Sequence, residues 1–566
     1  MPILLNFAMK SSFALLLLAT FCRCIYRSQL PLGSDDAANL YSTDGPFTTK
    51  FDKRVQIILD YFHVPGVSIS VVIDNETFAK GYGYAVFPDE KAMPETLYYC
   101  GSTTKSFTAA SVLKLIEGSA NNSKPLTLKT KVQSLIRDEF VLPDPYATSH
   151  ITLEDALSHR TGMPRHDNSY GWPNATLEGV VRNLRHLPMT RELREEWQYC
   201  NMMFIMVSYV IEKLTDMWLG DFFSKHIWAP LGMHSTFLSL SDAQHAGKNG
   251  GPKLAVGYAW NNDTQEYIST PYIDSPIVSG AGNTISNVLD YAKYMRAMLS
   301  MNETILSKRS YYELRTPRVI SGSNEGSPAP PVWTGPEMYG LGWQMSVYRG
   351  YEVFSHGGSI TGFGVQMAYI PELKNGVGLS LMANGDAMSG FVTGVLAFEL
   401  VDEMLEVPEE DRIDFVEEFD AGIRHFLDEL RPDRARKRIY PDAPTSEDAL
   451  PLPLPLKAYT GEYWNDGYQN LTVSLLDANS TTLKWTTAEK VLHIDVLARL
   501  WHYTVTFEHV SGNYFLAWLQ DASGIVIETS VRAAEFKVGV DGNVQGLGLS
   551  YEPSMGKELI WFSKRS

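Results

Sequence analysis

Cysteine is scarce in this sequence, four in 566 residues, which excludes a small scaffold stapled by disulfides. Basic residues are also in short supply: 48 Lys and Arg stand against 65 Asp and Glu, for a net charge of −17. Nucleic-acid affinity rests on cations at phosphates, so a nucleic-acid partner is excluded. No Gly-rich phosphate loop is present, and no Gly-x-Ser-x-Gly elbow. The nearest approach, Gly357-Gly-Ser359-Ile-Thr361, lacks the second glycine. His159, His166 and Asp167 match no standard ligand spacing, and the reading is of a protein with no metal and no cofactor. There is no internal repeat and, past the N-terminus, no second membrane-length apolar run.

What is present suffices for a large folded core. Hydrophobic residues make up 44% and charged residues 20% of the chain, the balance of a globular protein, and the length exceeds one ordinary domain. At the start, Lys10 precedes Ser11-Ser-Phe-Ala-Leu-Leu-Leu-Leu-Ala-Thr-Phe-Cys22. A lone cation before a short apolar run reads as a secretory signal peptide over 1–24, followed by a leader over 25–47. No small-x-small triplet closes the run, so an uncleaved signal anchor is the alternative, and membrane contact is expected only in that case. Sequons at Asn75, Asn121, Asn174, Asn262, Asn302, Asn470 and Asn479 exceed the roughly three or four that average composition gives. They favour an extracellular, glycosylated product.

The pattern between 48 and 405 mixes strands and helices. Gly66–Ile73 and Thr77–Tyr84 flank Asp74-Asn75-Glu76 as a hairpin, and Ser102–Ile116 and Asn201–Met217 read as helices. Tyr351–Ser355, Gly364–Ile370 and Gly376–Met382 read as strands, the last two antiparallel across a tight turn. These features imply an α/β (α+β) domain, an antiparallel sheet flanked by helices. From 406 to 455 runs a charged amphipathic helix followed by a Pro-rich linker. Beyond 456 the texture changes to short alternating strands, an all-β barrel or sandwich.

The sharpest chemical signal is Cys100-Gly-Ser102-Thr-Thr-Lys105. Serine and lysine three residues apart at a helix start share one helical face. The helix N-terminus favours developing negative charge, and a desolvated lysine can lose its proton and activate the serine. Trp197-Gln-Tyr199-Cys200-Asn201 sets a phenol beside a carboxamide just before the second helix, and Ser355-His356-Gly357-Gly358-Ser359 ends a strand with glycines that let a substrate approach the backbone. Each motif alone is common; the three in this order are specific. Cys100 and Cys200 lie beside them, and two states are open to the pair: buried free thiols or a disulfide.

Together the three segments resemble the signatures of the serine β-lactamase-like superfamily, which includes class C β-lactamases, D-alanyl-D-alanine carboxypeptidases, D-aminopeptidases and esterases. Ile151–Pro164 is similar to a further landmark of that group, and the C-terminal part resembles its small appended β-barrel, with Tyr459-Thr-Gly-Glu-Tyr463 as opening signature. The resemblance implies Ser102 as nucleophile, Lys105 as its base or charge partner, and Tyr199 as proton shuttle. It implies Asn201 at the substrate amide and beside Lys105, His356, Gly357 and Gly358 at the substrate, and the N–H groups of Ser102 and Ser359 as oxyanion hole. A cationic Lys-Thr-Gly stands at the third motif of true β-lactamases. Here it is His356-Gly, largely neutral at pH 7, which implies a peptidase, amidase or esterase instead of an efficient β-lactamase. The expected function is therefore a serine hydrolase acting on small esters, amides or peptides. A transesterase of natural-product assembly and a catalytically silent binding protein are the alternatives. The complete Ser102, Lys105 and Tyr199 set argues against the silent one.

Overall fold

The computed structural model describes residues 45–74, 76–262, 264–322, 332–445, 447–480, 488–521 and 530–565. The signal segment, most of the leader and the Asn75 sequon lie outside the described residues.

The larger unit is built on nine strands: β1 (Gly66–Ile73), β2 (Glu76–Val86), β3 (Glu90–Lys91), β4 (Val319–Gly322), β5 (Glu337–Tyr339), β6 (Gln344–Tyr348), β7 (Tyr351–Ile360), β8 (Phe363–Ile370) and β9 (Val377–Ala383). They lie in the order β3-β2-β1-β9-β8-β7-β6-β5-β4. All neighbours are antiparallel. Side chains alternate across such a sheet, and the sequence uses both faces. Val67, Ile69, Val71, Leu379 and Leu381 pack with α1 (Thr49–Tyr61) and α5 (Ala387–Met404). Val365, Met367, Tyr369 and Met382 pack on the other side against α4 (Val288–Ser300), in one core with α2 (Thr104–Gly118) and α3 (Asn201–Thr215). The sheet between helical layers matches the expected class.

Two local expectations change. The strand expected to stop at Ser355 runs on to Ile360, because Phe363 to Ala368 of β8 offer paired backbone from Ile360 back to Ser355. The single helix expected over 406–438 is two, α6 (Phe415–Glu429) and α7 (Pro432–Ile439). Pro432 cannot continue a helix but suits a first turn, so the chain breaks at Leu430-Arg431. The pair bridges: Phe415 and Phe419 join the core beside α5, whereas Leu430 and Ala435 pack on Val510, Leu516, Trp518 and Val531.

Those last residues belong to a closed barrel of eight strands between Gly461 and Lys564, each strand pairing with its chain neighbour. The last closes on the first through Tyr463↔Lys564 and Trp464↔Ser563, which removes exposed sheet edges. Its interior holds Phe507, Phe515 and Phe536, with ring centroids 5.4–6.2 Å apart.

Candidate active site

Four distant segments converge where α2 begins. Ser102 sits in a 3₁₀ turn, Gly101–Thr103, that leads into α2, and not in the first α-helical turn as the sequence suggested. The turn is tied down from both sides. Thr103 Oγ1 donates to Cys100 O and contacts the Tyr291 hydroxyl, Thr104 Oγ1 donates to Gly101 O, and Cys100 N donates to Thr284 O. The backbone of β7 passes directly over it. Gly101 has a left-handed φ of 50°, and a Cβ there would lie 2.5 Å from Ser359 N. A Cβ at Gly358 would lie 2.0 Å from Cys100 O. Gly357 and Gly358 were expected to admit a substrate; at Gly358 the space is taken instead by the chain crossing itself. That crossing sets the Ser102 and Ser359 backbones side by side.

Lys105 is fully buried. Its Nζ lies 3.0 Å from Ser102 Oγ, 2.8 Å from Asn201 Oδ1 and 2.7 Å from Ala281 O. The last two atoms can only accept, so they engage two N–H bonds. The third direction points at Ser102 Oγ, a hydroxyl that can accept an N–H bond from the ammonium form or donate to the lone pair of the neutral amine. Burial, then the nearby Arg165 charge, hold the Lys105 amine well below the ordinary lysine range, against a smaller opposite pull from Asp167 and Cys200. The arrangement sets a serine hydroxyl beside an amine whose charged form is disfavoured.

The Tyr199 ring stands between Lys105 Nζ and the Arg165 guanidinium, each 4.8 Å from its centre. His159 packs on it at 4.3 Å. Asn201 opens α3 with both ends of its amide engaged: Oδ1 accepts from Lys105, and Nδ2 donates to Asp167 Oδ1 (3.1 Å) and the Tyr170 hydroxyl (3.2 Å). These partners fix the amide orientation. Asn201 therefore orients Lys105; its donors are committed to Asp167 and Tyr170 rather than free for a substrate amide.

His356 differs from its expected role. It is fully buried, its Nδ1 donates to Gly357 O at 2.6 Å, and its Nε2 accepts from the Tyr339 hydroxyl at 2.9 Å. Both nitrogens are used, and burial and the Lys105 charge push its pKa down to about 3. It is a neutral ring packed behind Tyr199, 6.5 Å between centroids, and not a hydrogen-bonding contact for a substrate. Gly357 and Ser359 are partly exposed along the same strand. Cys100 and Cys200 are buried free thiols, pushed up to about 12 by burial.

Sequence reasoning missed Arg165, Tyr170 and Ala281, and weighed Asp167 only as a metal ligand. Asp167 is the hub: Arg165 Nε donates to its Oδ2 and the Tyr170 hydroxyl to its Oδ1, each at 2.7 Å. A signal existed in Arg165-His-Asp167, a polar triplet directly after the landmark ending at Pro164. Among the described residues no cluster of His, Cys, Asp and Glu could hold a metal ion.

A nucleophile, a buried amine and a phenol on a sheet between helical layers define a serine acyl-transfer enzyme. The comparisons agree. The family model described as "Beta-lactamase" matches residues 51–400, and one described as "Domain of unknown function (DUF3471)" matches 446–564. The chain therefore belongs to the beta-lactamase family and is a serine hydrolase of that fold. An unguisins hydrolase of Aspergillus campestris is 38% identical over 92% of each chain, and one of Aspergillus violaceofuscus is 37% identical over 92% of this chain and 91% of that one. Among solved structures, the octameric penicillin-binding protein homologue of Pyrococcus abyssi matches with a TM-score of 0.56 at 21% identity, over 91% of this chain and 99% of that one. D-amino acid amidase of Ochrobactrum anthropi matches with a TM-score of 0.50 at 22% identity, over 63% and 98%. These two show the shared fold.

Proposed function

We propose that the protein hydrolyses a small ester, amide or peptide through an acyl-enzyme on Ser102. The observation that carries this reading is the Lys105 amine, committed to two obligate acceptors and aimed at Ser102 Oγ. In the first step the Ser102 proton passes to the Lys105 lone pair while Oγ bonds to the substrate carbonyl carbon. The oxyanion forms beside the Ser102 and Ser359 N–H groups, donors that typically contribute about 2.7–4 kcal/mol each. Collapse breaks the bond to the leaving amine or alcohol, which takes up a proton through Tyr199. Water then cleaves the ester, freeing the acid and returning the proton to Ser102. Neutral His356 offers no cation for an anionic substrate group, which favours neutral esters and amides over β-lactam carboxylates.

The relatives named unguisins hydrolases support hydrolysis of a natural product of that kind, and unguisins are the first substrates to try. The test is labelling with a fluorophosphonate probe, followed by product analysis with unguisins and with competing alcohol or amine acceptors. Label on the wild type and none on Ser102→Ala is expected, with free acid as product. Absence of label on the wild type overturns the reading, and acyl transfer to the acceptor in place of free acid turns it into a transesterase. A secretory route fits the exposed sequons Asn121, Asn174, Asn262, Asn470 and Asn479, with Asn302 half-buried; deglycosylation followed by mass measurement tests it.

A further inference from the structure

Among the described residues, the barrel reaches the site through the stretch 165–171. After Arg165 the backbone turns through His166, left-handed at φ 44°, into a 3₁₀ turn Asp167–Ser169 and on to Tyr170 and Gly171. This loop carries the groups that orient Asn201, and the barrel holds it at four points. Glu552, almost wholly buried, accepts from the His166 backbone N–H at 2.7 Å. The His166 ring donates from Nε2 to Pro188 O and accepts at Nδ1 from the Tyr468 hydroxyl, both at 2.7 Å. Arg499 donates to Asn168 O at 2.9 Å while also binding Tyr468 O and Asn470 O. Leu500 N donates to Gly171 O, and the approach is so close that a Cβ at Gly171 would lie 2.3 Å from Leu500 Cβ.

We infer that the C-terminal barrel is a positioning element of the active site, acting through Glu552, Tyr468 and Arg499 on the loop 166–171. The chain of contacts is continuous. The barrel fixes the loop, the loop fixes Asp167 and Tyr170, these orient the Asn201 amide, and Asn201 holds Lys105 Nζ against Ser102 Oγ. Apart from the loop's own backbone, each link is a hydrogen bond of 2.7–3.2 Å between buried or half-buried groups, and losing one frees the next to rotate. Groups this far from the reacting atoms act on rate through geometry, where a shift of about 1 Å can cost on the order of 100-fold. None of the three barrel residues touches Ser102 or Lys105, so they are positioning residues. This inference rests on the hydrolase reading for its kinetic readout, and on the contacts alone for its spectroscopic one.

The experiment uses the full chain and the variants Glu552→Ala, Glu552→Gln and Tyr468→Phe, the last removing only one hydroxyl. Two quantities are followed: the rate of Ser102 labelling by a fluorophosphonate, and the titration of Lys105 by its ¹³Cε chemical shift. The groups facing Lys105 in that titration are Arg165, Asp167, Tyr199, His159, His356 and Cys200. In Glu552→Ala and Tyr468→Phe, labelling is expected to slow by about tenfold or more, with a wild-type melting profile and the Lys105 midpoint moved up toward the ordinary lysine range. Glu552→Gln, which keeps an acceptor for the His166 N–H, restores most of both. Folded Glu552→Ala and Tyr468→Phe that label at the wild-type rate with an unmoved Lys105 midpoint overturn the inference. A wild type that takes no label overturns the hydrolase reading instead, and the Lys105 titration then decides this one.

Discussion

The two units of this chain are assembled in opposite ways. Every barrel strand pairs with its neighbour in sequence, so its core of Phe507, Phe515 and Phe536 comes from adjacent hairpins. The catalytic unit works by long separations. β1 lies beside β9, and Lys105 binds Asn201, 96 residues away, and Ala281, 176 residues away. Local assembly gives a self-contained scaffold. Non-local assembly gives a point where a serine, an amine, an amide and a phenol meet, and where each depends on the others.

Four predictions press on that difference, from the largest effect to the smallest. Ser102→Ala removes the nucleophile of acyl-enzyme formation in the proposed mechanism, and kcat is expected to fall at least about 10⁴-fold, measured on any ester the wild type turns over. Lys105→Ala and Tyr199→Phe each lower kcat by about 10²–10⁴-fold while circular dichroism remains that of the wild type. A loss below tenfold in both contradicts their assigned roles. Phe536→Ala, by contrast, empties a buried position of the barrel and costs about 3–5 kcal/mol of stability, read by denaturant unfolding. A cost that small-residue surface sites would show, under about 0.5 kcal/mol, would mean the barrel core is not packed as described.

The fourth concerns pH. His159 and His356 are buried neutral, with pKa values held below the ordinary 6.5, His356 at about 3. The unfolded chain binds protons at these histidines below pH 6.5 and the folded one does not. Stability contributed by them is therefore complete above pH 6.5 and is lost as the pH falls below it, for His356 down to about pH 3 and by up to about 1.4 kcal/mol per pH unit. Unfolding free energies at pH 7 and pH 5 measure it, and His356→Phe should flatten the slope.

The same contrast explains what was legible in the sequence. The barrel strands announced themselves through alternation, because period two needs only neighbouring residues. That Ser102, Lys105, Tyr199 and Asn201 come together was legible through motif spacing and order. The roles of Gly358 and His356 were not. The Cys100 carbonyl that fills the space over Gly358, and the Tyr339 hydroxyl that engages the His356 ring, come from other parts of the chain. Ala281 contributes a backbone carbonyl, which no side-chain motif can mark. Asp167 was visible as a residue but not as a hub, since Asn201 and Arg165 reach it only in the folded chain. Glu552 lies farther still, 386 residues from the His166 it binds. The break at Pro432 was local and readable from the proline itself.

The central claim is that Lys105 is a neutral amine poised against Ser102, and the pH dependence of Ser102 labelling by a fluorophosphonate tests it most directly. A Lys105 amine held well below the ordinary lysine range predicts a labelling rate that reaches its plateau well before the pH at which an ordinary lysine titrates. The rate should fall only on the acid side, as Lys105 takes up a proton. A rate that climbs tenfold per pH unit from neutrality up to about pH 10, the titration of an ordinary lysine, would contradict it.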